Sequence, residues 1–198
     1  MDRLPALIRV ALGTLALACA VGGCEDKKAS SEPPPSRVNA AKVTANQGAT
    51  TEAFCDVYAK AADAKPLAWP ALASGAPPAA AKTWRWINVW ATWCKPCVEE
   101  MPRLAKWRDK LGIDLAFVSV DDSDDAIAAF RKEHPGTPAS LRIADTKAQE
   151  AWIAQLGLPG APPIPIHIIV DDQSRVRCVR AGGVLESDYA IIEKLIRE

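Results

Sequence analysis

The chain has 198 residues, 49% of them apolar, which is enough for one good hydrophobic core and short for two full domains. Its 24 basic and 24 acidic residues cancel, which excludes long-range attraction to nucleic acid or to an anionic membrane as a basis for choosing partners. Six cysteines are too few for a miniprotein built mainly from disulfides, so each one has to be interpreted from its neighbours.

The N-terminal segment is typical of a secretion signal. Two arginines precede an apolar stretch, residues 10–21, that is too short to span a bilayer. The sequence continues as Val21-Gly22-Gly23-Cys24, which resembles a bacterial lipobox, where a signal peptidase cuts before a lipid-modified cysteine. We therefore expect a lipoprotein signal peptide at residues 1–23, with Cys24 lipidated. An ordinary signal or an uncleaved anchor is the alternative, and all of these place the protein outside the cytoplasm, where disulfides persist.

Residues 24–50 are rich in Lys, Ser, Pro and Asn and lack an apolar period that could pack, which predicts a flexible polar tether. The folded domain is expected at residues 51–198, with a regular core from about residue 67. The first part of this domain mixes Ala and Pro, and only a short strand or hairpin is predicted there, around residues 67–72.

From Trp84 onward, strand-like and helix-like patterns alternate, which predicts an α/β layer fold. A Gly- and Pro-rich loop at residues 157–163 and a hairpin turn at 171–174 interrupt the pattern. The predicted strands cover 87–90, 115–120, 166–170 and 175–179, and the predicted helices cover 97–110, 125–133, 149–156 and 188–197.

Two cysteines carry the chemistry that the sequence predicts best. In Trp93-Cys94-Lys95-Pro96-Cys97, the spacing lets the first turn of a helix bring both sulfurs within bonding distance. Free N–H groups and the helix dipole stabilise a thiolate on Cys94, Lys95 adds positive charge, and Pro96 needs no intrahelical donor. We predict that Cys94 is the exposed nucleophile and that Cys97 resolves the mixed disulfide. A structural disulfide or half of a zinc site is the alternative, although no second pair completes a zinc ribbon.

Residues 88–97, read as Asn-Val-Trp-Ala-Thr-Trp-Cys-Lys-Pro-Cys, resemble the TlpA/ResA-like branch of the thioredoxin superfamily, as does the Glu-Glu-Met-Pro sequence at 99–102. The segment from Ile164 to Asp171 resembles the family's second marker, in which a cis proline faces the active cysteines and precedes a strand. The resemblance covers the chain from about Leu67 onward. It implies a thioredoxin-like α/β fold, with a central mixed β-sheet covered by helices on both faces, and it marks Pro165 as the cis proline.

The resemblance also implies roles for polar residues near the cysteines. Thioredoxin has a buried aspartate where this chain has Asn88, and the TlpA/ResA-like branch shares the asparagine. In that branch an acid three residues after the second cysteine manages the proton of that cysteine, and Glu100 matches it. A separation of three places Glu100 on the helical face of Cys97. The alternative is that Glu100 is a solvated helix residue, as Glu99 is expected to be.

Members of the branch are bacterial envelope thiol-disulfide oxidoreductases. Several reduce disulfides in apocytochromes c or in copper-site proteins, with electrons from a membrane thiol reductase. By this resemblance we expect a reductase of protein disulfides, whose substrate lies across Trp93 and pairs with the backbone of Ile164, next to Pro165, as an added strand. Simple packing is the alternative for Trp93. No metal or organic cofactor is expected besides the disulfide of the active cysteines.

His167 lies in a strand predicted to be covered on both faces, where a hydrogen-bonded core histidine is the default. The competing hypothesis is a copper chaperone on the same fold that uses Cys94, Cys97 and His167. Peroxide reduction is disfavoured, because the threonine that it needs three residues before the reactive cysteine is replaced by Ala91.

Cys55 and Cys178 remain once the signal, the lipid site and the active pair are assigned. A bridge between them would fasten the N-terminal part of the domain to the sheet, and two separate buried thiols are the alternative. Geometry decides between the two, because Cα atoms more than about 7 Å apart exclude a bridge.

Overall fold

The computed structural model describes residues 50–73, 76–80 and 82–198. The predicted signal peptide, the lipidation site Cys24 and the predicted tether up to residue 49 lie outside the described residues. Within the described part, no helix is both long enough and apolar enough to cross a membrane.

Six strands form one mixed sheet in the order β1-β6-β5-β2-β3-β4. β2, β3 and β4 run parallel, whereas β5 pairs antiparallel with both β2 and β6, and β1 pairs antiparallel with β6. The strands are β1 Val57–Tyr58, β2 Arg85–Trp90, β3 Asp114–Ser119, β4 Ser140–Arg142, β5 Ile166–Val170 and β6 Val176–Ala181.

In the described part of the chain, five α-helices accompany the sheet, and side-chain caps fix the first residues of α3 and α4. The side chains of Ser123 and Asp145 accept hydrogen bonds from backbone N–H groups in the first turns of α3 and α4. α2 ends at Gly112, whose φ of 64° is the left-handed conformation that commonly ends helices. The helices are α1 Thr51–Phe54, α2 Lys95–Leu111, α3 Asp124–Glu133, α4 Thr146–Gln155 and α5 Tyr189–Ile196.

Helices cover both faces of the sheet. All six residues of β2 are buried, and they alternate between two hydrophobic clusters, one on each face. One cluster joins Trp86 and Trp90 to side chains of α2, α3 and α5, and the other joins Ile87 and Val89 to side chains of α4. The predicted fold class, a mixed sheet between helices, is therefore confirmed, and β2 is a central strand of it.

The predicted strand or hairpin at residues 67–72 is wrong. Within this segment Leu72 makes an isolated bridge to Ile143, and Pro66, just before it, makes another to Arg175. Pro66 and Pro70 have no N–H group to donate, so a continuous ladder cannot form there. Regular structure also begins earlier than residue 67, with α1 and the two-residue strand β1.

Candidate active site

The two cysteines of the motif lie where the chain passes from β2 into α2. Cys94 is the N-cap of α2, and Pro96 lies in the first turn, as its missing donor allows. The sulfurs of Cys94 and Cys97 are 1.98 Å apart and form a disulfide, with Cα atoms 5.3 Å apart. The positive end of the helix dipole and the unpaired N–H groups of the first turn are therefore directed at Cys94.

Accessibility around the disulfide is uneven. Trp93 is 70% exposed, whereas Cys94 is 5% exposed and Cys97 is fully buried. Cys94 is therefore the more exposed of the two cysteines, as predicted, but most of its surface is covered in the disulfide form. Part of that cover is Ile164, whose carbonyl oxygen lies 3.7 Å from Sγ of Cys94.

The loop before β5, which is far from the cysteine motif in sequence, lies next to the disulfide in the fold. The peptide bond between Ile164 and Pro165 is cis, at the position that the sequence marks. The carbonyl of Pro165 accepts a hydrogen bond from Gly182, which follows β6. The fold thus brings Ile164 and Pro165 next to a cysteine about 70 residues earlier in the chain.

Lys95 lies on the surface beside the disulfide. Its Nζ is 3.6 Å from a carboxylate oxygen of Glu99, and both side chains are mostly exposed. Such an exposed pair contributes little to stability. Glu99 is thus the solvated helix residue that the sequence predicts.

Glu100, in contrast, is only 2% exposed, so the alternative of a solvated Glu100 is wrong. Nδ2 of Asn88 donates to Oε1 of Glu100 at 2.8 Å, and the backbone N–H of Val184 donates to Oε2 at 3.1 Å. Nε2 of His167 lies 3.4 Å from Oε1. The structure therefore places a buried carboxylate on the helical face of Cys97, with N–H groups directed at both of its oxygens.

His167 is 1% exposed, and Nε1 of Trp86 donates to its Nδ1 at 3.1 Å. It is the hydrogen-bonded core histidine that the sequence favours. Among the described residues, no group of three or more His, Cys, Asp or Glu side chains is arranged to hold a metal ion. The imidazole of His167, which the copper-chaperone hypothesis combines with Cys94 and Cys97, contacts Trp86 and Glu100 in the structure.

Asp121 is a site residue that the sequence analysis missed. Its buried carboxylate accepts hydrogen bonds from the backbone N–H of Thr92 at 3.0 Å, from the Thr92 hydroxyl at 2.6 Å and from the Ser119 hydroxyl at 2.7 Å. It therefore fixes the loop that carries Trp93 and Cys94. The signal was available, because β2 and β3 are consecutive parallel strands whose carboxyl ends meet at one edge of the sheet. Helix α3, which follows Asp121, is capped by Ser123 and not by this carboxylate.

Cys55 and Cys178 form a second disulfide in the structure, with sulfurs 1.94 Å apart. Their Cα atoms are 5.4 Å apart, within the limit for a bridge. Cys178 lies in β6 and Cys55 just after α1, so the bond joins the N-terminal helix to the sheet.

In the reduced protein, we expect iodoacetamide to modify Cys94 much faster than Cys97. Cys94 is at the end of α2, where its thiolate is stabilised, and Cys97 is fully buried behind it. Mapping of the modified peptides after brief treatment measures the ratio of the two. Preferential labelling of Cys97 would reverse the assignment of nucleophile and resolving cysteine.

Comparisons with known proteins agree with this geometry. The chain is 29% identical over 94 residues to the thiol-disulfide oxidoreductase ResA of Bacillus thuringiensis (strain Al Hakam), which covers 46% of this chain and 50% of that protein. It is 32% identical over 108 residues to the thiol:disulfide interchange protein DsbE homolog of Paracoccus denitrificans, covering 52% of this chain and 53% of that one. The chain thus spans about half the length of the curated relatives it matches.

Among solved structures, a thiol:disulfide interchange protein of the thioredoxin family from Chlorobium tepidum aligns with a TM-score of 0.50. It is 19% identical and covers 68% of this chain and 97% of that structure, so it supports the fold. The resemblance to TlpA/ResA-like thioredoxin-fold proteins is confirmed. The family model for Redoxin matches residues 80–195, which is more than half of the chain and includes both cysteines of the motif, and the chain therefore belongs to the Redoxin family.

Proposed function

We propose that the protein is a thiol-disulfide oxidoreductase that reduces disulfides of other proteins by dithiol-disulfide exchange. The observation that carries this proposal is the disulfide between Cys94 at the N-cap of α2 and Cys97 buried in its first turn. A pair placed in this way has one cysteine positioned to attack and one positioned to resolve. The names of the two relatives, an oxidoreductase and an interchange protein, support the same activity.

The exchange proceeds in two steps. In the reduced protein, the thiolate of Cys94 attacks one sulfur of the substrate disulfide, and the other substrate sulfur leaves as a thiolate. The thiol of Cys97 then gives its proton to Glu100, and the resulting thiolate attacks Sγ of Cys94. The bond between Cys94 and the substrate breaks as the bond between Cys94 and Cys97 forms. Two electrons have then passed from the protein to the substrate.

The substrate is an extended segment that contains a cysteine. Trp93 offers it an apolar contact beside the disulfide, because its indole is the exposed large apolar side chain of the described residues. Backbone groups around Ile164, opposite Cys94, are placed to pair with such a segment as an added strand. Trp93, Ile164 and Pro165 thus form the proposed substrate contact.

We place the protein in the bacterial cell envelope, held to a membrane by a lipid on Cys24 and facing the periplasm or the cell exterior. The signal-like N-terminus supports this location, as do two disulfides of a kind that persists in oxidising compartments. The proposed partners are cysteine-containing envelope proteins, with apocytochromes c and copper-site proteins as candidates, and a membrane thiol reductase that supplies electrons. No nucleic-acid partner is proposed, since the chain has no net charge.

The activity is tested by catalysed reduction of insulin with dithiothreitol. We expect the protein to accelerate the reduction at substoichiometric concentration, and a rate equal to that of dithiothreitol alone would contradict the proposal. The direction is tested by comparing this rate with the rate at which the oxidised protein introduces disulfides into a reduced, unfolded protein. The proposal predicts that reduction is the faster of the two.

Replacing Glu100 by glutamine is expected to slow the resolving step about 100-fold, at the lower end of the range for general acid-base catalysis, and to flatten its pH dependence. The reason is that a neutral amide cannot accept the proton of Cys97. Single-turnover fluorescence across a pH series measures the step, and thermal unfolding checks the fold. Glu99→Gln is the matched control, because Glu99 is exposed one position earlier. Equal effects of the two changes would mean that only the charge near the motif matters.

A further inference from the structure

His167 is a buried titratable group to which the exchange steps above assign no part. It faces Asn88 directly across the pairing of β5 with β2, so both side chains project to the face that α2 covers. Beneath the active disulfide, these two residues, Trp86 and Glu100 form one connected group of polar side chains.

Trp86 determines which nitrogen of the imidazole carries the proton. An indole N–H can only donate, and it donates to Nδ1 of His167 at 3.1 Å. Nδ1 is therefore the accepting nitrogen. In a neutral imidazole the single proton is then on Nε2.

Nε2 of His167 is directed at Glu100. It lies 3.4 Å from Oε1 and, although completely buried, makes no hydrogen bond within the described residues. The same oxygen already accepts from Asn88, and Oε2 accepts from Val184, whose carbonyl in turn accepts from Arg103. With the N–H of His167, donors approach both oxygens of Glu100 from β2, from β5 and from the loop after β6.

Of the charged side chains near His167, Glu100 is the one that faces the imidazole. Its cross-strand neighbour on β6 is Arg180, whose Nη1 donates to the carbonyl of Phe54 at 2.7 Å. The guanidinium of Arg180 lies 4.4 Å from the centre of the Phe54 ring, so its charge is directed toward α1. β2 contributes the uncharged Trp86 and Asn88, and α2 contributes Glu100.

We propose that His167 is a positioning residue that Trp86 holds as the Nε2–H tautomer, so that it orients the carboxylate of Glu100 for proton exchange with Cys97. This inference rests on the proposed function and adds to it that His167 orients the carboxylate of Glu100. In the resolving step, the proton of Cys97 passes to Glu100 as the bond between Cys97 and Cys94 forms and the bond from Cys94 to the substrate breaks. His167 keeps its Nε2–H facing the carboxylate and neither gains nor loses a proton.

The tautomer can be measured without any substitution. The chain has two histidines, His134 and His167, so ¹⁵N-labelled full-length protein gives two imidazole spin systems. We expect His167 to show an unprotonated Nδ1 and a protonated Nε2 in both the oxidised and the reduced protein. A protonated Nδ1 at neutral pH, in either the other neutral tautomer or an imidazolium, would overturn the proposal.

The effect on exchange is measured with His167→Leu, which removes the donor, and His167→Gln, which offers an N–H in its place. Because His167→Leu removes the N–H that faces the carboxylate, we expect it to slow the resolving step about tenfold and to change its pH profile, while His167→Gln recovers part of the rate. In the Glu100→Gln background, His167→Leu is expected to have no further effect on the pH profile. His134→Leu, which changes the exposed histidine, is the control and should leave the rate unchanged.

Different results would contradict the proposed function and the positioning role of His167. If wild-type protein catalyses no exchange, the proposed function is wrong. If wild-type protein is active but a folded His167→Leu variant keeps the wild-type pH profile, the positioning role is wrong and the function stands. Should the leucine variant fail to fold, the tautomer measured in the wild-type protein still decides the inference.

Discussion

Replacing Cys94 by serine is expected to abolish catalysed disulfide exchange and to leave only the rate of the reductant alone. A serine hydroxyl at neutral pH is not the thiolate that attacks a disulfide sulfur, even with the helix N-terminus directed at it. The fold should be unaffected, because the change replaces a single side-chain atom at the end of α2 and Cys97 remains buried in the helix. Insulin reduction measures the activity, and circular dichroism measures the fold.

Cys97→Ser is the matched control, because it also breaks the disulfide but keeps the attacking thiol. It is expected to lose turnover and to retain one rapid attack per molecule, which a single-turnover assay detects. Wild-type turnover in Cys94→Ser would mean that the activity resides in other cysteines, of which the described ones are Cys55, Cys97 and Cys178.

Removing the second disulfide with Cys55→Ala and Cys178→Ala together is expected to lower the free energy of unfolding by up to about 3–5 kcal/mol. The two cysteines are 123 residues apart in sequence, so the bond closes a long loop and reduces the conformational entropy of the unfolded chain. It also joins the short helix α1 to a central part of β6.

Urea unfolding under non-reducing conditions measures this loss. The control is the variant with serine at both Cys94 and Cys97. The disulfide that this variant lacks spans a sequence separation of only 3, so it restrains the unfolded chain far less than the bond between Cys55 and Cys178 does. A loss no larger than that of the control would contradict the assigned stabilising role. A free thiol at Cys55 in protein isolated from the envelope would contradict the bond itself.

The central part of the fold was predictable because its strands and helices are long enough to show a period. β2, β3 and β5 appear in the sequence as apolar runs, and all of them occur in the structure within two residues of their predicted bounds. α2 and α3 also begin within two residues of prediction. α4 begins three residues earlier than predicted, because Asp145 rather than the apolar pattern determines its start.

The peripheral strands were not predictable from periodicity. β1 has two residues and β4 has three, which is too short for an alternating pattern to be recognised. The segment around residues 65–73 makes its hydrogen bonds with residues far along the chain: Leu67 donates to Ser174, and Ala73 donates to Arg142. Such long-range pairing depends on the assembled sheet and leaves no local signal.

The same distinction applies to the site. Cys94, Cys97 and Glu100 could be placed because they lie on one helix at fixed spacing, and the structure adds that Glu100 is buried. A contact between strands that are distant in sequence could not be placed: Trp86 donates to His167 from 81 residues away. A motif predicts the reacting groups, whereas the residues that orient them become visible only when distant strands are side by side.

The central claim, that Cys94 attacks substrate disulfides, is tested most directly by capturing the covalent intermediate. Full-length Cys97→Ser protein is reduced, freed of reductant and mixed with a peptide that contains a disulfide, and the products are mapped by mass spectrometry. The account predicts one peptide adduct per molecule, on Cys94, released by dithiothreitol. An adduct on Cys55 or Cys178, or none on Cys94 in the folded protein, would contradict it.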